Sequence, residues 1–161
     1  MNRSLVVLAL VGILMFGSTV WAGERATPKD VYELVVKAYE VLSTLGEDAL
    51  PAFNDPKGEF VYKDTYVYVL QCPEYVVAHP FAIDKLKGRD LSNVYPHQKT
   101  LCEGDKNSFG GWVEYEWPKP GSDNPERKIS FVLQVKGTPY TVSAGIYNSD
   151  LTIAQLNGTI R

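Results

Sequence analysis

The chain has 161 residues, 45% of them hydrophobic, and its 16 basic and 19 acidic side chains give a net charge of −3. One domain is the expectation at this length, and so large an apolar fraction excludes a disordered chain. No block of like charge stands out, which argues against nucleic acid and anionic membrane as partners.

The first segment, "MNRSLVVLALVGILMFGSTVWAG", is not read as part of the fold. Arg3 precedes an apolar stretch from Leu5 to Phe16, and Val20, Trp21 and Ala22 form an acceptable cleavage site, which is the layout of a secretory signal. Residues 1–22 are therefore expected to be removed on export, leaving a periplasmic domain of residues 23–161. The alternative is an uncleaved membrane anchor. No second long apolar run follows, so nothing else is expected to span a membrane.

"TPKDVYELVVKAYEVLSTLG" predicts an α-helix. Val31, Leu34, Val35, Ala38, Leu42 and Leu45 recur at helical spacing and make one apolar face. Thr27 suits the cap, Pro28 the first helical position, and Asp30 the acid of a capping box. Gly46 is expected to end the helix in a left-handed conformation. "EDALPAFND" reads as a further short helical piece and "NDPKG" as a turn.

From Tyr66 the period changes to two. "TYVYVLQ" and "YVVAHP", joined by the tight "CPE", predict a β-hairpin. Residues 81–111 have no clean period and are expected to be loop, apart from a short helix near Asp84 to Leu86. Three strands follow, near Gly111–Trp117, Lys128–Val135 and Tyr140–Tyr147, connected by "PKPGSDNPER" and "KGTP". The tail "SDLTIAQLNGTIR" is either a loose end or a final helical turn. This order predicts an α+β fold: one antiparallel sheet of about five strands with a long N-terminal helix packed on one face.

Cys72 and Cys102 are the only two cysteines. In an exported chain an even count points to a disulfide. There is no CxxC, and His79 and His97 lack zinc-site spacing around the two thiols. No metal or cofactor is implied.

The last hairpin decides where the rings go. If Val135 pairs with Tyr140, then Ile129, Phe131, Leu133 and Val135 share an apolar face with Tyr140, Val142, Ala144 and Ile146, suited to the helix stripe. The opposite face then carries Lys128, Ser130, Val132 and Gln134 beside Thr141, Ser143, Gly145 and Tyr147. With Trp117 opposite Lys128, Gly111, Val113 and Tyr115 join it, while Trp112 turns to the helix side. Aromatic walls with a few polar groups and one cation suit a small-molecule pocket. The same residues also suit an ordinary edge hairpin with a solvated lysine, and a one-residue bulge would exchange the two faces.

Several stretches, "YVVAHPFAIDKLKGRDLSNV", "GGWVEYEWPKPG" followed by Lys128, and "VSAGIYN", resemble the single Cache domains of extracytoplasmic bacterial sensors. The resemblance follows the order helix, "YVYVLQ", "AHP", "KGRDL", "GGWVEYEWPKP", "KISFV", "AGIY", and covers Val31 to Asn148. It implies a PAS-like five-stranded sheet with the long helix on one side and a ligand cavity on the other, and short carboxylates such as acetate, propionate or pyruvate as ligands. Its binding positions fall on His79, Tyr115, Trp117, Lys128 and Tyr147. Cys72 departs from the polar or acidic residue expected after the first strand, and Cys102 lies in the crossover that should line the cavity. A disulfide there would staple the crossover to the sheet. The chain ends at Arg161 without a second membrane helix or an effector, so any signal is expected to pass through a membrane-bound partner.

The leading expectation is a binding module for a small organic anion. Catalysis would need a nucleophile with its base, a carboxylate pair or a metal cluster, and no GxSxG, HExxH or phosphate loop is present. An envelope assembly protein using the aromatics as an interface is the third reading.

Overall fold

Helix α1 runs from Pro28 to Leu45 in the computed structural model, which describes residues 24–72, 75–87, 89, 97–104 and 109–159. The leader expected at residues 1–22 lies outside the described residues. The capping box forms as the sequence predicts: Thr27 Oγ accepts the Asp30 amide at 3.2 Å, and the Asp30 carboxylate accepts the Thr27 amide at 2.8 Å. Val31, Leu34, Val35, Ala38 and Leu42 are buried, but Leu45 is 54% exposed. The stripe stops one turn early because the helix gives way at Gly46, whose φ of 57° is positive but whose ψ of −136° is not left-handed helical. The chain passes directly into a 3₁₀ helix, Gly46–Asn54, which buries Ala49 and Phe53.

Among the described residues six strands form one antiparallel sheet: β1 (Val61–Tyr62), β2 (Thr65–Gln71), β3 (Tyr75–Ala78), β4 (Gly111–Pro118), β5 (Pro125–Gln134) and β6 (Tyr140–Tyr147). The order is β1-β2-β6-β5-β4, with β3 paired to the C-terminal half of β2. The strand beyond the expected five is the two-residue β1, too short to show a period. The predicted β2–β3 hairpin forms, with a bulge where the register moves between Val69 and Leu70.

Helix α2 (Ile83–Leu86) lies where the sequence places a short helix. Helix α3 (His97–Gly104) stands in what was expected to be loop. Its apolar residues Leu101 and Cys102 are adjacent, so they trace no helical period. The tail makes the final helical turn, α4 (Ile153–Asn157), through a second capping box between Thr152 and Gln155.

Two cores sit on opposite faces of the sheet. The first gathers the α1 stripe with Phe53, Phe60, Val67, Val69, Ile129, Phe131, Val142 and Ile146. The second gathers Tyr66, Tyr68, Leu70, Val113, Tyr115, Val132 and Tyr147, covered by Leu86 of α2 and Leu101 of α3. Helices α2 and α3 therefore cover part of the second face, and the Cys72–Cys102 disulfide, with Cα atoms 5.6 Å apart, ties α3 to the end of β2.

The face assignment from sequence holds, with one correction of register. Val135 N–H donates to Tyr140 O at 2.9 Å, and Gln134 pairs with Thr141. Across β4, however, Lys128 pairs with Tyr115, and Trp117 pairs with Glu126. The slip is two residues, and side chains alternate with period two, so every ring keeps its expected face. Trp112 accordingly lies under α1, its ring 5.4 Å from that of Phe131.

Candidate functional site

Lys128 is placed by β5, whose alternation sends Ile129 and Phe131 to the α1 core and Lys128, Ser130 and Val132 to the other face. Strands β4 and β6 on either side, and β2 beyond β6, bring rings to it. Tyr66 and Tyr68 come from β2, Tyr115 from β4 and Tyr147 from β6. The Lys128 Nζ lies 4.1 Å from the Tyr66 ring centroid, 5.1 Å from that of Tyr68 and 5.0 Å from that of Tyr147. These are cation–π distances. The side chain is 1% exposed, and among the described residues no carboxylate lies within 4 Å of it. Burial alone brings its pKa down to about 7, because desolvation disfavours the charged form.

The stem of Lys128 runs over Gly145. A Cβ built on Gly145 would lie 2.2 Å from Ser130 Oγ and 2.9 Å from Lys128 Cε. No other residue leaves room for both.

Behind the ammonium the hydroxyls are joined in series. Tyr115 OH lies 2.8 Å from Tyr68 OH and 2.9 Å from Ser130 Oγ. Ser143 Oγ lies 2.8 Å from Tyr68 OH and 3.0 Å from Phe131 O. A serine carries one proton, so if Ser143 donates to Phe131 O, then Tyr68 donates to Ser143 and Tyr115 to Tyr68. On the other side Tyr66 OH lies 3.1 Å from Tyr147 OH, which donates to Pro118 O at 3.0 Å. Burial pushes the phenols of Tyr66, Tyr68, Tyr115 and Tyr147 upward, so all four stay protonated at neutral pH.

His79, at the end of β3, completes the cage, with its ring 4.9 Å from Tyr66, 5.9 Å from Tyr68 and 6.2 Å from Trp117. Its backbone N–H donates to Asn54 Oδ1 at 2.9 Å, which ties the 3₁₀ helix to this corner. Its Nδ1 accepts the Phe81 amide at 3.1 Å. The neutral ring must then carry its proton on Nε2. Burial, and next the nearby Lys128 charge, push its pKa down to about 3. His79 is a fixed neutral donor.

All five sequence-predicted binding positions, His79, Tyr115, Trp117, Lys128 and Tyr147, thus meet on one face. Tyr66 and Tyr68 were missed. Their signal was present in the alternation of "TYVYVLQ", but using it requires knowing that β2 pairs with β6, as in Tyr68 opposite Ser143. Lys128 is also not the solvated surface lysine that the plainer reading allowed.

The Cache domain family profile matches residues 57–152, from just before β1 to just before α4. Among curated proteins, the methyl-accepting chemotaxis protein McpP of Pseudomonas putida is 27% identical over 93 residues, covering 55% of this chain and 17% of that protein. This chain thus corresponds to a small part of that receptor's length. Among solved structures, one described as the periplasmic sensor domain of a chemotaxis protein is 27% identical, with a TM-score of 0.56 over 73% of this chain and 88% of that one. Another is described as the structural basis for carboxylic acid recognition by a Cache chemosensory domain. It is 23% identical, with a TM-score of 0.56 over 73% and 86% of the two chains, and shares the fold. With the family profile covering more than half of its length, the chain belongs to the Cache domain family, whose relatives here are sensor domains of chemotaxis receptors.

Proposed function

We propose that this domain binds a short organic carboxylate, of the acetate, propionate or pyruvate type, outside the cytoplasmic membrane, and passes its occupancy to a membrane-bound signalling partner. The observation that carries this reading is the buried Lys128 ammonium, ringed by tyrosines and without a carboxylate among the described residues. A buried charge is costly unless it is paired, and a small anion from outside would pair it. Lys128 and His79 Nε2–H would hold the carboxylate, joined by the Tyr115 and Tyr147 hydroxyls once these turn their single protons from Tyr68 and Pro118 O, and Trp117 would close the site against water. The carboxylic acid ligand of the structural relative is consistent with this chemistry. The relatives are sensors and not enzymes, and no catalytic residue is assigned.

Export by the N-terminal leader, with a mature start at or near Gly23, belongs to the same proposal and is read directly by mass spectrometry of the exported protein. The ligand class is tested by thermal shift with acetate, propionate, pyruvate, succinate and amino acids. A monocarboxylate at one hundred times its dissociation constant should stabilise the fold by about 2.7 kcal/mol. No shift with any monocarboxylate, or copurification with an envelope macromolecule in its place, would overturn the ligand assignment.

A further inference from the structure

Resting on that reading, we propose that above neutral pH a carboxylate entering the Lys128 cage brings a proton with it, so the domain responds to the anion and to external pH together.

The geometry leaves one place for that proton. In the unliganded cage the Lys128 amine is enclosed by rings and has no described counter-charge, so its charged and neutral forms are close in free energy at neutral pH. A carboxylate at hydrogen-bond distance reverses the balance, because it favours the ammonium strongly in a site removed from water. Binding therefore draws a proton onto whatever fraction of Lys128 was neutral.

The other groups facing Lys128 do not compete for it. Tyr66 and Tyr68 on β2, Tyr115 on β4 and Tyr147 on β6 are held protonated by burial. His79 is held neutral, its Nδ1 occupied by the Phe81 amide. On β5 itself, Glu126 is paired with Lys119 at 2.9 Å, and Arg127 with Glu114 at 2.7 Å. The charged residues described on α2 and α3, Asp84, Lys85 and Glu103, are exposed. Lys128 is then the group in the described cage whose charge changes between about pH 5 and 9.

The sign follows from linkage. Below the pKa of Lys128 in the free protein, about 7, the ammonium is already present and affinity does not vary with pH. Above it, each unit of pH lowers affinity about tenfold, until the raised pKa of the bound state is reached.

Two measurements test this. Calorimetric titration with propionate at pH 8, in a phosphate and in a Tris buffer, should give enthalpies differing by the uptake of about one proton per site. The same pair at pH 6 should agree, and affinity should fall about tenfold from pH 6 to pH 8. Equal enthalpies in both buffers at pH 8, with propionate bound, would overturn the proposal. The second measurement needs no ligand: NMR titration of 13C-lysine-labelled protein, with Lys128 assigned from its loss in Lys128→Met. A Lys128 Cε resonance moving near pH 7 supports the proposal even if propionate is the wrong anion. A Lys128 that titrates at the ordinary lysine value, near 10.5, overturns it whatever the ligand.

Discussion

Gly145 shows how a residue without a side chain can define a site. It lies on β6 opposite Ser130, and a methyl group there would meet Ser130 Oγ at 2.2 Å, Ile129 O at 2.7 Å and Lys128 Cε at 2.9 Å. Part of that obstacle is backbone and cannot rotate away. Gly145→Ala should therefore cost about 1–3 kcal/mol of stability through overpacking and displace Lys128 from its ring contacts, which urea unfolding and a ligand titration measure separately. Unchanged stability and binding would mean that the cage is looser than described. Alternation placed Gly145 on the Lys128 face, and "AGIY" marked it again, but neither explains why a glycine stands there, since the requirement comes from a neighbouring strand. Residues whose importance follows from period-two alternation, such as Lys128, Ser130 and Tyr147, were legible. Tyr66 and Tyr68 depend on the non-local β2–β6 pairing, which alternation within one strand does not specify.

Among the elements, α1 and the last hairpin were legible because each carries its own evidence: a stripe at helical spacing with a capping box, and two alternating strands around a tight turn. Helix α3 was not. Its eight residues hold only two adjacent apolar side chains, and it is held by Leu101 packing into the second core and by the Cys72–Cys102 bond. That disulfide joins residues 30 apart in sequence, a closure worth about 3–4 kcal/mol in the chain-entropy account. Replacing both cysteines with serine should lower unfolding free energy by about that amount. Hydrogen exchange should rise first in α3, because the same bond fixes it over the cage. Faster exchange spread evenly over α1 and α3 would contradict that local role.

The whole molecule should lose stability in mild acid. The pKa of His79 is pushed down to about 3 in the folded protein, from an ordinary value of 6.5. The unfolded chain thus takes up a proton near pH 6.5 that the folded chain refuses until about pH 3, so the His79 contribution to stability is full above this window and falls as pH drops through it. The slope reaches about 1.4 kcal/mol per pH unit. The hydrogen-bonded carboxylates of Asp30, Glu114 and Glu126, also shifted down, add their loss only nearer pH 4. Urea unfolding between pH 4.5 and 6.5 should therefore show the slope in the wild type and much less of it in His79→Gln. The same slope in both proteins would place the titrating group elsewhere.

The central claim is that the buried Lys128 ammonium is the anion site, and calorimetric titration of Lys128→Met with the monocarboxylate that stabilises the wild type tests it most directly. Methionine keeps most of the stem and removes the charge, so the cage stays filled, and without the cost of a buried cation the melting temperature should hold or rise. A charged hydrogen bond contributes about 1.5–3 kcal/mol, so the account predicts affinity lower by about tenfold or more. A Lys128→Met protein that binds the same anion as tightly as the wild type would contradict it.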